Sequence, residues 1–255
     1  MRKTAHTIAT GPEDDAAYRA LHDLASIMDG HPEARVIGGH MVGLLAAAFP
    51  SAGLIERRTG DADAGISLEL ADDGTMHEAL TDAGYTAVNS NRYAKGEPPE
   101  EQVIDLLIPT LTGKFGDASR GGRRFDAMPG LHLALGEPIM VDAHLTLQDE
   151  SELVCAVPVP TVEAAVVLKA YAWSDRWAQT PKDTIDLSNL FHVLDAHGAD
   201  AVGGWRLHED GVTGARRDAS QILLSLALKL RAKRAAAPAV DARKLEVLIR
   251  RWVKA

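Results

Sequence analysis

Apolar and polar residues along the first quarter of the chain alternate with two different periods. Where apolar side chains recur three and four positions apart, they predict amphipathic helices, and short apolar runs beside glycine predict strands and turns. The pattern predicts, in order, a helix over 14–29, a strand over 34–37, a turn at Gly38-Gly39, a buried helix over 40–49 and a strand over 61–70. Residues 1–12 show neither period, so we expect an irregular end.

The middle of the chain is dominated by strand patterns. Residues 102–109 form a near-continuous apolar run interrupted by Asp105, which predicts a buried strand. Residues 110–130 are rich in glycine, arginine and aspartate and predict a mobile loop. Three further runs predict strands or a hairpin, namely 131–135, 139–147 and 153–157. Pro158 and Pro160 then indicate a boundary.

The remaining part of the chain has helical spacing. Thr161 is a typical N-cap for a helix running to about Ala178. Thr180-Pro181-Lys182-Asp183 resembles a capping box that begins a helix ending at Gly198. Two more helices are expected over 218–235 and 241–253, separated by a break at 236–240. The order of elements predicts an α+β fold: a mixed sheet with flanking helices, followed by a C-terminal helical bundle.

We therefore expect two domains, residues 1–158 and residues 159–255. The chain of 255 residues and 27.3 kDa is long enough for either one large or two smaller cores. Its single cysteine, Cys155, excludes an internal disulfide, and no apolar run has the length of a signal peptide or a membrane span. These features predict a cytoplasmic protein with no membrane partner.

The net charge of −9 is unevenly distributed. Residues 214–255 contain 11 lysines and arginines and 3 acidic residues, a net +8, whereas the rest of the chain carries a net −17. A basic segment on an acidic body can attract polyanions locally. Amphipathic helices with solvated basic faces would give the same composition, so the charge alone leaves a nucleic-acid role open.

Three aspartates are the main candidates for chemistry. Asp61 and Asp63 are two residues apart, so on a strand both carboxylates leave the same face. Asp105 lies inside a buried strand, where a carboxylate is costly unless it is paired or bound to metal. If the two strands are neighbours, the three carboxylates converge on one or two Mg²⁺ ions. A solvated strand end is the alternative explanation for Asp61 and Asp63.

Residues that could bind phosphate surround this predicted metal site. Gly38 and Gly39 allow close backbone approach, and the helix that starts beside His40 favours an anion at its N-terminus. Arg58, three residues before the aspartate pair, could bind phosphate through its guanidinium group. A plain tight turn and an exposed loop arginine are the corresponding structural explanations.

The order of these parts resembles the polymerase-β type of nucleotidyltransferase. The chain has Gly-Gly, then about twenty residues later Arg-x-x-Asp-x-Asp, then the aspartate-bearing strand. Lys169-Ala170-x-Ala172-x-x-x-Arg176 and Lys182-Asp183-x-x-Asp186-Leu187 follow, and they resemble the AbiEii/AbiGii branch, which includes type IV toxins and the mycobacterial MenT toxins. The likeness covers residues 34–195. His40 departs from the pattern, because a serine or threonine is frequent there.

The resemblance implies roles for individual residues. It implies that Asp61 and Asp63 bind Mg²⁺ together with a nucleoside triphosphate, with Asp105 as the third carboxylate. It also implies that Lys169 contacts the nucleotide phosphates and that Asp183 is needed for activity. Asp183 fits equally well as an ordinary residue of a helix start.

Three functions are compatible with these expectations. The first is a toxin-like enzyme that adds nucleotides to an RNA end, most plausibly of tRNA, and that a cognate antitoxin neutralises. The second is a transferase acting on a small hydroxyl compound of the aminoglycoside kind, for which an acidic cleft would suit a cationic acceptor. The third is a non-catalytic nucleotide-binding module, which the intact Asp61, Asp63, Lys169 and Asp183 disfavour.

Overall fold

The strands that the structure describes form two separate sheets. The computed structural model describes residues 1–234 and 237–254. Its strands are β1 (Arg2–Ile8), β2 (Arg35–Ile37), β3 (Ala62–Gly65), β4 (Thr86–Ala87), β5 (Arg92–Lys95), β6 (Gln102–Thr110), β7 (Gly116–Arg120), β8 (Arg123–Pro129), β9 (Ile139–Thr146) and β10 (Glu152–Val159). The larger sheet has the order β2-β3-β6-β5-β4, with β8 also paired to β6 and β7 to β8. The smaller sheet has the order β1-β9-β10.

Helices cover both sheets and make up the end of the described chain. They are α1 (Pro12–Met28), α2 (Gly38–Ala48), α3 (Leu68–Asp73), α4 (Thr75–Asp82), α5 (Leu131–Ala134), α6 (Val162–Arg176), α7 (Lys182–His197), α8 (Gly214–Arg231) and α9 (Ala242–Trp252). Helix α1 packs on β6 and β10, and α2 packs between β1 and α7. The predicted α+β class is therefore confirmed, with a mixed sheet, flanking helices and a helical C-terminal part.

The start of the chain is a strand, so the expectation of an irregular end is wrong. All seven residues of β1 pair in parallel with β9, from Arg2 opposite Met140 to Ile8 opposite Thr146. Only Ala5 within β1 is buried, because one face of this strand is open to solvent. The sequence Arg-Lys-Thr-Ala-His-Thr-Ile therefore lacks the alternating apolar signal that would have predicted it.

The expected loop over 110–130 is mostly a β-hairpin. Strands β7 and β8 are antiparallel, and the turn between them holds Gly121 and Gly122 at φ values of 53° and 76°. Such positive φ values favour glycine, which explains the pair of glycines. Strand β7 has no buried residue, so its composition resembles that of a loop.

Two other predicted strands are helical in part or in full. The strand expected over 61–70 ends at Gly65, because the Ser67 hydroxyl accepts a hydrogen bond from the Leu70 amide and begins α3. Residues 131–134 form α5, which follows Gly130 at φ 80°. Both segments are short and apolar, so their period could not distinguish strand from helix.

The helices of the second half agree closely with the pattern. Thr161 caps α6 as predicted, accepting a hydrogen bond from the Ala164 amide, although the helix ends at Arg176. Helix α7 begins at Lys182 rather than at Pro181, and the Thr180 hydroxyl accepts from the Lys182 amide. Helix α8 begins four residues earlier than expected; the predicted end at Ala235 and the start of the break at Ala236 lie outside the described residues.

The boundary between two domains at residue 158 stays a prediction. Residues after this point pack directly on those before it, since α7 contacts α2 and α6 contacts α5. This packing is what brings Lys169 and Asp183 to the same side of the molecule as the aspartates. Among the helices that the structure describes, none has the length and apolar character needed to cross a membrane.

Candidate active site

Three carboxylates meet where β3 and β6 lie side by side in the larger sheet. Strands β3 and β6 are parallel and place Asp63 directly opposite Asp105, and Asp61 lies one residue before β3. Oxygen atoms of the three side chains all lie within 4.8 Å of one another. The structure thus brings together the three residues that the sequence nominated for a metal site.

Local features hold two of these carboxylates in place. The Thr59 hydroxyl donates to Oδ1 of Asp61 at 2.8 Å. Gly38 begins α2 at φ 68°, and a Cβ at this position would lie 1.7 Å from Oδ2 of Asp63. A side chain at position 38 is therefore excluded, and the first turn of α2 lies directly against the Asp63 carboxylate.

The electrostatics of the site favour a cation. Burial, followed by the charges of Asp61 and Asp105, raises the pKa of Asp63 to about 7. Arg92 of β5 supplies one positive charge: its guanidinium donates to both oxygens of Asp105, at 3.0 and 2.6 Å, and lies 3.6 Å from Asp61. All three predicted ligands offer only oxygen, the donor that Mg²⁺ prefers. The donor set therefore fits magnesium.

Replacing Arg92 should strengthen metal binding. Because its guanidinium pairs with two of the three carboxylates, Arg92 competes with an added cation. We expect Arg92→Ala to raise the affinity for Mn²⁺, used as a spectroscopic probe for Mg²⁺, by about three- to tenfold, since partly exposed ion pairs contribute ~1 kcal/mol. Titration followed by electron paramagnetic resonance measures this.

Arg120→Ala is the matched control, because Arg120 is a partly exposed arginine paired with Asp72 in a different part of the sheet. An equal gain in Mn²⁺ affinity in both variants would show a general charge effect and contradict the competition between Arg92 and the cation.

A cleft of about 440 Å³ opens beside Asp63, and we call it the Asp63 cleft. Gly38 and Asp63 line it, together with Lys169 and Arg176 of α6. Its apolar lining comes from Ile37, Met41, Leu107, Phe115, Met128 and Leu168. Three further acids, Asp117, Asp126 and Asp175, also line it. The volume lies in the range of small-molecule sites.

Behind this cleft lies a buried chain of ion pairs. Lys169 Nζ is 2.7 Å from Asp186 and 3.7 Å from Asp183. Arg176 donates to both oxygens of Asp183 at 2.7 and 3.0 Å, and Arg57 Nε lies 3.1 Å from Asp186. Side-chain exposure is only 0% for Asp186, 1% for Asp183 and 5% for Lys169. Three cations take part in these ion pairs, and two of them, Lys169 and Arg176, line the Asp63 cleft.

Asp183 is thus more than a residue of a helix start. Burial alone would raise its pKa, but the hydrogen bonds from Arg176 and the charge of Lys169 hold the pKa of Asp183 below its ordinary value. It does not line the Asp63 cleft, so its geometry is that of a group that positions Arg176 and Lys169. The sequence places Asp186 one turn before Leu190, at the edge of the apolar stripe of α7 formed by Leu187, Leu190, Phe191 and Leu194. In the structure Asp186 is the nearer partner of Lys169.

The predicted phosphate-binding residues are divided between two cavities. Gly38 and Lys169 line the Asp63 cleft, whereas Gly39, His40 and Arg58 line a second cavity of about 690 Å³ bounded by α1, α2 and β1. Arg58 pairs there with Asp14 and Glu56. These three residues are therefore not among those that line the Asp63 cleft.

His40 should make the fold sensitive to acid. Burial lowers the pKa of His40 to about 4, from an ordinary value of 6.5. Between these values the unfolded chain binds a proton that the folded chain does not, so stability is fully present above pH 6.5 and is lost as pH falls toward 4. The loss amounts to ~3 kcal/mol.

We expect the pH dependence of the unfolding free energy, measured in urea between pH 7 and 4, to be shallower in His40→Gln than in the natural sequence. Parallel curves for the two proteins would contradict this assignment.

Two residues of the candidate site, Arg92 and Asp126, were not predicted from the sequence. Arg92 lies on β5, a four-residue strand with a single buried residue, and no pattern predicted that strand. Asp126 lies in the segment taken for a loop. The available signal for Arg92 was the cost of burying Asp105, which required a partner somewhere in the chain.

Comparisons with known proteins give only distant similarities. No protein-family model matches the chain, and no curated protein does. An antigenic nucleotidyltransferase-like protein from Paracoccidioides brasiliensis is similar in structure at 14% identity, covering 94% of this chain and 95% of that one with a TM-score of 0.48. The antibiotic-resistance factor ANT(2'')-Ia is similar at 12% identity, covering 74% and 88%, with a TM-score of 0.43. Function is therefore inferred from the side chains of the site itself.

Proposed function

We propose that this chain is a Mg²⁺-dependent nucleotidyltransferase that transfers a nucleotide from a nucleoside triphosphate to a hydroxyl acceptor. The observation that carries the proposal is the convergence of Asp61, Asp63 and Asp105, in which Asp63 lies against Gly38 and lines the same cleft as Lys169 and Arg176. Carboxylates for metal and cations for phosphate are the two requirements of phosphoryl transfer, which needs little covalent work from the protein.

Each group of residues at the site would have its own role in this reaction. Asp61, Asp63 and Asp105 would hold Mg²⁺, which when bound neutralises phosphate charge and stabilises the departing pyrophosphate. Lys169 and Arg176 would bind phosphate oxygens, and the first turn of α2 would direct backbone amides at them. The apolar lining excludes water and leaves a surface for the base. The acceptor hydroxyl oxygen forms a bond to the α-phosphorus and releases its proton to solvent, as the bond to pyrophosphate breaks.

We further propose that the acceptor is the end of an RNA, most plausibly tRNA, and that the protein acts as a toxin with a cognate antitoxin. The support is the positive charge of residues 214–255. Six of the eleven basic residues there pair with carboxylates. Within the described residues, Arg231, Lys233, Arg234 and Arg243 are exposed and have no such partner. They are the first candidates for RNA contact.

A small cationic acceptor is the second candidate. Asp117, Asp126 and Asp175 line the Asp63 cleft near the nucleotide-binding groups that we propose. Burial and the nearby Asp117 and Asp105 charges raise the pKa of Asp126, although Arg124, which pairs with Asp117, opposes this rise. The three acids make this part of the lining an anionic surface. A positively charged amino sugar would neutralise this surface.

Labelled nucleoside triphosphates, Mg²⁺ and either total RNA or a panel of aminoglycosides separate these acceptors. We expect label on tRNA that Asp63→Asn abolishes and that EDTA prevents. Label on an aminoglycoside alone would reject the RNA acceptor and keep nucleotidyl transfer. Binding of nucleotide with no transfer to either would leave a nucleotide-binding module. Growth arrest on expression, absent in Asp63→Asn, tests the toxin role.

A further inference from the structure

A second group of metal-ligating side chains lies on the smaller sheet. His6 of β1 is directly opposite His144 of β9, and Glu152 projects from β10 beside them. The two imidazole rings stack with their centroids 4.5 Å apart, and His144 Nδ1 lies 3.2 Å from a Glu152 oxygen. One nitrogen from each histidine and one oxygen from Glu152 all lie within 4.8 Å of one another. We call these three residues the His–Glu cluster.

The His–Glu cluster is independent of the three aspartates. It belongs to the sheet β1-β9-β10, whereas Asp63 and Asp105 belong to the larger sheet. The side chains alternate along each strand, so the opposite face of the same strands carries buried Ala5, Ala143 and Val157. The cluster therefore stands on the solvent face of a sheet whose other face is part of the core.

The sheet restricts where these side chains can go. Register fixes His6 and His144 as direct neighbours along the whole seven-residue pairing of β1 with β9. Arg2 donates to both oxygens of Asp142 at 2.8 and 2.6 Å, which adds a second side-chain link between the same strands. Only side-chain rotation is then needed to bring the three donor atoms to one ion, because the backbone is already arranged.

The donor set selects a type of metal. Two imidazole nitrogens and one carboxylate oxygen are the ligands of three-residue zinc sites, whereas Mg²⁺ prefers oxygen alone. The open side of the sheet leaves room for water as a fourth ligand. We propose that His6, His144 and Glu152 bind Zn²⁺ or a similar divalent transition metal. The bound ion joins residues that are distant in sequence and fastens the first strand of the chain to β9 and β10.

Zinc titration in the presence of excess Mg²⁺ tests this inference. Under the proposed function excess Mg²⁺ competes for the aspartates, and Asp63→Asn weakens that site. Isothermal titration calorimetry with ZnCl₂ on both proteins therefore distinguishes the two sites. We expect one Zn²⁺ per chain. His144→Ala should lower the Zn²⁺ affinity by about a hundredfold, because losing a residue that binds the metal costs at least as much as losing a residue that hydrogen-bonds to such a ligand. Glu152→Gln, which keeps the shape of the side chain and removes its charge, should also weaken binding.

Two matched variants keep the result interpretable. His132→Ala removes an exposed histidine outside the cluster, and Asp63→Asn alters the other metal site; both should bind Zn²⁺ as the natural sequence does. If His144→Ala does not fold, His6→Ala takes its place in the titration, because His6 lies on the edge strand β1. Co²⁺ should give visible absorption bands that His6→Ala abolishes. Absence of zinc binding in excess Mg²⁺, equal affinity in the His144 variant, or loss in Asp63→Asn would each overturn the site.

Discussion

Asp63→Asn should reduce nucleotidyl transfer by about a thousandfold or more, equivalent to ~4 kcal/mol of transition-state stabilisation. Asp63 shares the proposed ion with Asp61 and Asp105, and its Oδ2 lies against Gly38 at the start of α2. Asparagine has the same shape but cannot supply the negative charge that a divalent cation requires. Incorporation of labelled nucleotide under single-turnover conditions measures the change.

Loss of activity in this variant should not come from unfolding. Burial and two like charges disfavour the ionised Asp63 carboxylate, so neutral asparagine relieves repulsion in the metal-free protein. We expect the metal-free variant to be at least as stable in urea as the natural sequence. Asp72→Asn, at an exposed aspartate paired with Arg120, is the control and should keep full activity. Transfer above a tenth of the natural rate in Asp63→Asn would remove Asp63 from the mechanism.

Several elements could be predicted because their signals are local. The turn at Gly38, the cap at Thr161 and the apolar stripe of α7 each depend on residues close in sequence. Asp105 was also informative without any structure, since a carboxylate in an apolar strand requires compensation. What these signals specify is which residues need partners.

The identity of those partners depended on pairing between distant segments. Arg92 meets Asp105 because β5 runs antiparallel to β6, and no property of residues 92–95 indicates that register. The same limit applies to Asp186, whose spacing places it at the edge of the apolar stripe of α7. Its contact with Lys169 follows only from the packing of α7 on α6. Strand β1 was missed for a related reason, because its order comes from β9 rather than from its own composition.

The separation of the two cavities also lies beyond sequence. Gly38 and Gly39 are adjacent, but the helix that starts at Gly38 turns them toward different surroundings. A Cβ at Gly38 would meet Asp63, and one at Gly39 would meet Arg57 and Thr59 at 2.6 Å. Each glycine of the pair therefore allows a close contact: Gly38 with the Asp63 carboxylate, and Gly39 with the loop that carries Arg57.

Asp186→Ala should be among the most destabilising single substitutions in the chain. The Asp186 side chain has 0% exposure and lies between Lys169, at 2.7 Å, and Arg57, at 3.1 Å. Removing it leaves two largely buried cations without their nearest carboxylate. Breaking a buried pair in this way costs ~3–5 kcal/mol, because the remaining charge is neither hydrated nor compensated. Urea denaturation should show this loss as a lower midpoint with an unchanged slope.

Two further variants identify the cause of that loss. Asp183→Ala should cost less, because its main partner, Arg176, is 47% exposed and can turn toward water. Lys169→Met combined with Asp186→Leu removes one charge of each sign and should recover part of the stability, with Arg57 accounting for the remainder. If the double variant were as unstable as Asp186→Ala, lost packing rather than an uncompensated charge would explain the effect.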